Sequence, residues 1–249
     1  LKTFCADNGI TPFMFMLTGW KLLLSRYAGQ PDILVGVPTL GRHAPELENI
    51  IGFFIQSLVL RTDLANNPTV EQAVQRVRQT VLEGFSHGDV PVDLIVERLG
   101  VRRNPAYSPL VQVAFQLLDN ASFNAGNLLQ SGQFGDLQVE MLGGNTTTAK
   151  FDLTLSLTQN GDSLGGSLEY NTALFLDGTI QRLLQHYRQL CEQMLDALQQ
   201  PVNTLPLHAP QNLLAELDLD AHVYESALPL SVMQYDMFMD NLVNPASLQ

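Results

Sequence analysis

The sequence predicts an α/β fold, on three observations. Segments with apolar residues at three- and four-residue steps alternate with short apolar or alternating runs, so helical and strand periods take turns along the chain. One stretch, Leu47 to Arg61, changes period within itself. Leu47, Ile50 and Ile51 have helical spacing, whereas Phe54, Gln56, Leu58 and Leu60, and between them Phe53, Ile55, Ser57 and Val59, sort onto two strand faces. With Gly52 at the join, the expectation is a short helix running straight into a mostly buried strand. The third observation is composition: 249 residues, 45% hydrophobic and 15% charged, suffice for a sizeable core in one or two domains.

Taken in order, residues 1 to 9 read as a helix ended by Asn8-Gly9, and Thr11-Pro12 as the cap and first turn of a second. In that helix Phe13, Met16, Leu17, Trp20, Leu23, Leu24 and Tyr27 form a stripe, read as core rather than as a ligand channel. Gly29 stops it. Asp32 to Val37 has the length and β-branching of a strand covered on both faces, broken by Pro38. Asn67-Pro68-Thr69 starts a helix with Val70, Val74, Val77, Val81 and Phe85 on one face, ending near Gly84 to Gly88; Pro91 opens another, stopped by Gly100. Leu110 to Leu118 and, more weakly, Leu137 to Leu142 read as strands. Phe151, Leu153, Leu155 and Leu157 alternate with polar residues before Asn160-Gly161 turns the chain into Leu164 to Tyr170, a hairpin. Residues 177 to 199 read as a helix capped by Asp177, its face running from Ile180 to Leu198. Val202 to Ser226 lacks sustained periodicity apart from a possible short helix at 211 to 216, and a new helix is expected from Ser231.

The balance of 13 basic against 25 acidic residues, a net charge of −12, opposes nucleic-acid binding, which draws its affinity from a basic footprint. Cys5 and Cys191, far apart on predicted helices, read as buried thiols and point to a reducing, cytoplasmic location. No run of about 20 apolar residues spans a bilayer. Without an initiator Met or signal peptide, the chain is expected to begin inside a longer polypeptide.

Gly161-Asp-Ser163-Leu-Gly165 spells the Gly-x-Ser-x-Gly pattern that exposes a nucleophilic serine between a strand and a helix. Here both flanks have strand spacing, so a hairpin turn is the better reading and a hydrolase a distant one. His87-Gly-Asp89 contains residue types suited to metal binding or acid–base work, but two such residues do not make a site, and a helix-terminal cap and turn is preferred. No metal-ligand spacing and no phosphate loop occurs; Gly143-Gly144-Asn145 lacks the Lys that phosphate cradling needs. His43, His186, His208 and His222 read as solvated or linker residues.

Several segments together resemble the C-terminal half of the condensation domain of nonribosomal peptide synthetases. Asp32-Ile-Leu-Val-Gly-Val-Pro-Thr-Leu-Gly-Arg42 resembles the family's strand ending in Pro-x-x-Gly-Arg, and Ile51-Gly-Phe-Phe-Ile-Gln-Ser-Leu-Val-Leu-Arg61 its Ile-Gly-x-Phe-Val-Asn-Thr-x-x-x-Arg motif. His87-Gly-Asp-Val-Pro-Val-Asp93 resembles His-Gln-Asp-x-Pro-Phe-Glu. Arg102 to Leu110, ending Ser-Pro109-Leu, resembles the next motif, and Lys150-Phe-Asp152-Leu-Thr-Leu continues the order. The departures are Gln56-Ser57 for Asn-Thr, Gly88 for Gln and Val92 for Phe; a substrate hydrogen bond assigned to Asn is therefore not carried over to Gln56.

The resemblance implies a chloramphenicol acetyltransferase-like lobe with a mixed β-sheet and flanking helices, the second of two lobes that meet at a cleft. It implies amide-bond formation between a donor acyl or peptidyl thioester and an acceptor aminoacyl thioester. Both are tethered to carrier-protein domains by phosphopantetheine arms, and no cofactor is bound directly. The family's catalytic His-His-x-x-x-Asp-Gly motif belongs to the first lobe, and no His-His pair occurs here. No catalytic residue is therefore assigned, and the chain alone is expected to be inactive. Thr39, Leu40, Gly41, Arg42 and Gln56 are implied as substrate-tunnel residues; Gly52, Arg61, His87, Asp89, Pro91, Pro109 and Asp152 as structural, with Arg61 forming a paired contact across the lobes. Expected partners are carrier proteins, the N-terminal lobe and neighbouring synthetase domains. Leu228-Pro-Leu-Ser-Val-Met-Gln-Tyr-Asp-Met-Phe-Met resembles the start of a condensation-type domain, so the layout implied is a lobe at 1–205, a linker at 206–226 and a following domain from 227. The alternative is a non-catalytic lobe that docks carriers or a neighbouring domain. In either case the half facing the absent lobe is expected to expose apolar surface.

Overall fold

The computed structural model describes residues 1–42, 44–102, 104, 107–119, 133–134, 137–138, 148–161 and 163–207. The chain divides into two units, Leu1–Leu205 and Pro206–Gln249, and all the described helices and strands belong to the first. Helix α1 (Lys2–Asp7) leads into α2 (Pro12–Ala28), which starts and stops as its sequence dictates. Thr11 Oγ1 accepts from the Met14 N–H, Pro12 takes the first turn, and Gly29 ends the helix in the left-handed region. Leu17, Trp20 and Leu23 of the apolar stripe are inaccessible and Met16 is buried, so the stripe is core except at its end, where Tyr27 is 43% exposed.

Strands β1 (Asp32–Thr39), β2 (Gln56–Asp63), β3 (Val113–Asp119), β6 (Leu153–Asn160) and β7 (Ser163–Tyr170) form a mixed sheet in the order β2–β1–β3–β6–β7. The β1–β2 and β6–β7 ladders are antiparallel; β1–β3 and β3–β6 are parallel. A separate ladder joins β4 (Gln133–Phe134) to β5 (Leu137–Gln138). Helices α3 (Val70–Ser86) and α5 (Asp177–Asp196) both pack on α2, and α2 also meets β1 and β3. Between them in the chain lies the short helix α4 (Val92–Arg98). Tyr187 of α5 sets its ring edge-on to Trp20 at 5.7 Å and donates through Oη to the Met16 carbonyl at 3.0 Å. Cys5 and Cys191 are buried free thiols, as expected.

Several boundaries differ from the sequence reading. β1 runs through Pro38 to Thr39: its pairing with β3 is at Gly36↔Ala114, so a proline two residues on interrupts no ladder there. Leu47–Arg61 is not a helix joined to a strand. A 3₁₀ turn, Pro45–Leu47, precedes irregular chain, and β2 begins only at Gln56 and continues to Asp63. Because β1 ends at Thr39, opposite Gln56, residues 53–55 have no strand to pair with. Ile51 and Phe53 are 101% and 90% exposed rather than buried. β3 starts at Val113, three residues later than expected. Of the expected Leu137–Leu142 strand, Leu137–Gln138 is present and 139–142 lie outside the described residues.

Asp177 is the first helical residue of α5, not its cap; Leu176 holds that position without a side-chain bond, and the Asp177 carboxylate accepts from Tyr170 Oη. α5 stops at Asp196 because the chain beyond it is used elsewhere. The carbonyls of Leu198 and Gln200 accept from the N–H groups of Glu71 and Val70, Val202 N–H donates to Pro68, and Val202 and Leu205 are buried. Residues 197–205 thus cap the start of α3, beside its own Thr69–Gln72 capping box. The hairpin holds: Gly161 sits at φ 59° in a strand–turn–strand, and Ser163 Oγ donates to the Asn160 carbonyl. That context excludes a nucleophile elbow. His43 and residues 208–249, on which most of the expected linker, the expected helices at 211–216 and from Ser231, His208 and His222 fall, lie outside the described residues.

Candidate functional site

β1 and β2 end together, and the chain leaving β1 folds back onto the chain entering β2. At the last rung Thr39 pairs with Gln56, and Thr39 Oγ1 donates to the Gln56 carbonyl at 3.4 Å. Gly41 then turns at φ 61°, where an added Cβ would lie 1.8 Å from the Phe54 carbonyl oxygen and 3.3 Å from Gln56 Cγ. Only glycine fits, on both counts. The next residue, Arg42, lays its guanidinium 4.4 Å from the centre of the Phe54 ring and donates through Nη1 to the Leu47 carbonyl. That pairing of a cation with a ring face ties the turn to the loop. Gly52 lies against the same ring, 2.9 Å from its Cε2 if a Cβ is added.

Four of the five tunnel residues implied by the sequence, Thr39, Gly41, Arg42 and Gln56, therefore meet at one strand end, and Leu40 stands beside them, 65% exposed. Sequence reasoning missed Phe54, the hub that holds Gly41, Arg42 and Gly52; the available signal was a second aromatic residue directly after Phe53. Among the described residues Gln56 Oε1 is buried without a hydrogen-bond partner, an unmet acceptor beside Gly41. Leu40, Ile51, Phe53 and Ile55, on the chain around this corner, all expose apolar side chains.

The residues read as structural are spread over the first unit. Within this chain Arg61 forks onto Asp32, Nε to Oδ1 and Oδ2 at 3.0 Å and Nη2 to Oδ2 at 2.7 Å. It lies within β2 rather than at its end, opposite Leu34. The guanidinium holds the Asp32 carboxyl below its ordinary range. His87 ends α3, its Nδ1 2.9 Å from both Ser86 Oγ and the Glu83 carbonyl, which is the cap reading. Pro91 is the N-cap of α4, and Asp89 lies in the connection. Pro109 bends the chain ahead of β3, and the Asp152 backbone bridges Gln112 and Asn171 ahead of β6. Among the described residues no group of three His, Cys, Asp or Glu could hold a metal.

Two buried polar groups were not legible. His186, read as solvated, is 5% exposed, with Nδ1 2.7 Å from Tyr27 Oη, because α5 turns it inward toward α2. Lys21 is inaccessible; its Nζ donates to the Leu60 carbonyl at 2.6 Å and Thr62 Oγ1 at 2.8 Å. Burial pushes its ammonium down to about 7, with the Asp32 carboxylate opposing.

A family model described as "Condensation domain" matches residues 1–212. The chain is 41% identical over 208 residues to a linear gramicidin synthase subunit from Brevibacillus parabrevis, covering 83% of this chain and 4% of that protein. It is 35% identical over 207 residues to surfactin synthase subunit 1 of Bacillus subtilis (strain 168), covering 83% and 6%. Among solved structures, a four-domain nonribosomal peptide synthetase bound to AMP and glycine superposes with a TM-score of 0.73 at 21% identity, covering 84% of this chain and 17% of that one. The complex of the X-domain and OxyB from teicoplanin biosynthesis gives 0.70 at 24%, covering 84% and 45%. At these identities the structural likeness speaks for the fold alone. The chain spans 4% and 6% of the length of these two synthase subunits.

Proposed function

The chain belongs to the condensation-domain family, and we propose that it is the acceptor-side lobe of such a domain in a nonribosomal peptide synthetase. Its reaction joins a donor acyl or peptidyl thioester to an acceptor aminoacyl thioester, each carried on the phosphopantetheine arm of a carrier-protein domain. The acceptor amine attacks the donor carbonyl; the C–N bond forms, the C–S bond breaks, and the proton lost by the amine ends on the released thiol. The histidine motif that assists the attack lies, on this reading, in an N-terminal lobe, so the present chain contributes a wall rather than the base.

The observation that carries this reading is the corner where Gly41 is locked against Phe54. It holds Thr39, Leu40 and Gln56 at one strand end, a fixed lining for a tunnel, with Arg42 as a positioning residue clamped by Phe54. The apolar rim of Ile51, Phe53 and Ile55 is the side that the N-terminal lobe covers, and its coverage excludes water from the thioester. Arg61, His87, Asp89, Pro91, Pro109 and Asp152 shape the lobe. Carrier domains and neighbouring synthetase domains are the partners, residues 206–226 the linker and 227–249 the start of a following condensation-type domain, in a cytoplasmic multienzyme.

The test rejoins the chain to its N-terminal lobe and incubates the two-lobe protein with a loaded donor and a loaded acceptor carrier. Mass spectrometry should find the amide on the acceptor carrier, and Gly41→Ala should lower its yield without changing carrier loading. A folded two-lobe protein that binds both carriers and forms no amide would overturn the reading in favour of a docking lobe.

A further inference from the structure

We propose that the open edge of β7 joins two copies of this chain, β7 against β7, in an antiparallel register centred on Gly166. The inference is independent of the function proposed above. β7 closes one side of the sheet, and among the described residues nothing pairs with its outer edge. Residues 163–167 are exposed. Its sequence, Ser-Leu-Gly-Gly-Ser-Leu-Glu-Tyr, contains none of the lysine or proline with which proteins blunt such an edge.

The hydrogen-bond pattern says which residues face outward. Asn160 and Ser163 close the hairpin, and Asn171 N–H donates to the Asp152 carbonyl at 3.0 Å, so the odd-numbered residues exchange bonds with β6. The even-numbered residues Leu164, Gly166, Leu168 and Tyr170 turn their N–H and C=O groups to the open side. A two-fold axis at Gly166 places even residues against even residues, as an antiparallel ladder requires. Leu164 then faces the partner's Leu168, and Gly166 faces the partner's Gly166, with about six new backbone bonds.

Side chains agree with this register. Leu164 and Gly166 lie on the face of the sheet that α5 covers, beside an apolar groove of about 330 Å³ lined in part by Leu157, Leu184 and Leu195. The partner's Leu168 comes to the mouth of that groove. Glu169, the sole charge on β7, falls opposite the partner's Ser163, about 20 Å along the ladder from its symmetry mate. A register that set the two Glu169 side chains face to face would cost repulsion. Each copy carries a net charge of −12, so salt should strengthen the association by screening.

Sedimentation velocity on the 249-residue chain, over a range of concentration and salt, should show mass doubling that is favoured by salt. Leu164→Lys, which puts charge on the edge, and Leu168→Pro, which deletes an outward N–H, should each weaken it at least tenfold while circular dichroism stays unchanged. Hydrogen exchange on the unaltered chain supplies a readout that needs no variant. Amides of Leu164, Gly166 and Leu168 should slow as concentration rises, and those of Ser163, Gly165 and Ser167 should not. A chain that stays monomeric overturns the proposal. So does a dimer that keeps the even amides unprotected, or one that survives both edge variants and dissociates on Phe53→Ser.

Discussion

Lys21→Met removes a buried charge while keeping most of the side chain's length, and its effect should change sign with pH. Lys21 Nζ is held by the Leu60 carbonyl and Thr62 Oγ1 at 2.6 and 2.8 Å, with the Ile33 carbonyl at 3.5 Å. Its folded-state pKa of about 7 lies below the ordinary 10.5, chiefly because burial disfavours the ammonium. Above pH 10.5 folded and unfolded chains both hold a neutral amine, and its burial carries no ionic cost. Between pH 10.5 and 7 the unfolded chain takes up a proton that the folded chain refuses, so stability falls as pH falls, by on the order of 4 kcal/mol over the window. Below 7 the loss levels off. Methionine has no such dependence, but it leaves the Leu60 carbonyl without the Nζ donor, at about 1–3 kcal/mol; Thr62 still donates to Thr80 at 3.1 Å. The variant should therefore be less stable than the parent at pH 10 by about 1–3 kcal/mol and equal or superior at pH 6. Urea unfolding followed by the fluorescence of Trp20, the chain's single tryptophan, reads this next door to the substitution. Taking the difference between variant and parent cancels the carboxylates and thiols common to both. A difference that stays constant from pH 6 to 10 refutes the reasoning.

Gly41→Ala should lower stability by about 3 kcal/mol in the same assay, since both the backbone at φ 61° and the Phe54 carbonyl oppose a Cβ. Gly29→Ala is the control: at φ 65°, with nothing within 4 Å of the new atom, it should cost about 1 kcal/mol; equal losses would show that the Phe54 contact is immaterial. Leu205→Ala, at a site 3% exposed, should cost about 2–4 kcal/mol and raise amide exchange at Val70 and Glu71, whose acceptors are in the same segment. Melting unchanged by that substitution would mean that residues 197–205 are only a tether.

The helices were the most legible elements because their information is local. Thr11-Pro12, Gly29, Thr69 with Gln72, and Pro91 act within one turn of themselves, and apolar spacing states which face is buried. The hairpin was equally plain in Asn160-Gly161. Strand ends were misjudged wherever the limit is set by a partner distant in sequence. β2 begins at Gln56 because β1 stops at Thr39, and Phe53 has strand-like spacing but no strand to pair with. Motif order placed Thr39 to Arg42 and Gln56 at one site. Nothing in that order revealed that Phe54 is what joins them, or that Arg61 is committed to Asp32.

By itself the sequence determined the α/β class, most of the helix ends though not the cap of α5, the identity of most core side chains and the family, since each rests on spacing and residue type read in short windows. Tertiary structure alone decided which charged groups are buried and which apolar ones are not. Lys21 and His186 look no different in the text from solvated residues, and Ile51 and Phe53 look like core. Exposure is a property of what packs against a residue, and for these four the deciding neighbours come from strands and helices up to about 160 residues away or, at the apolar rim, are absent among the described residues.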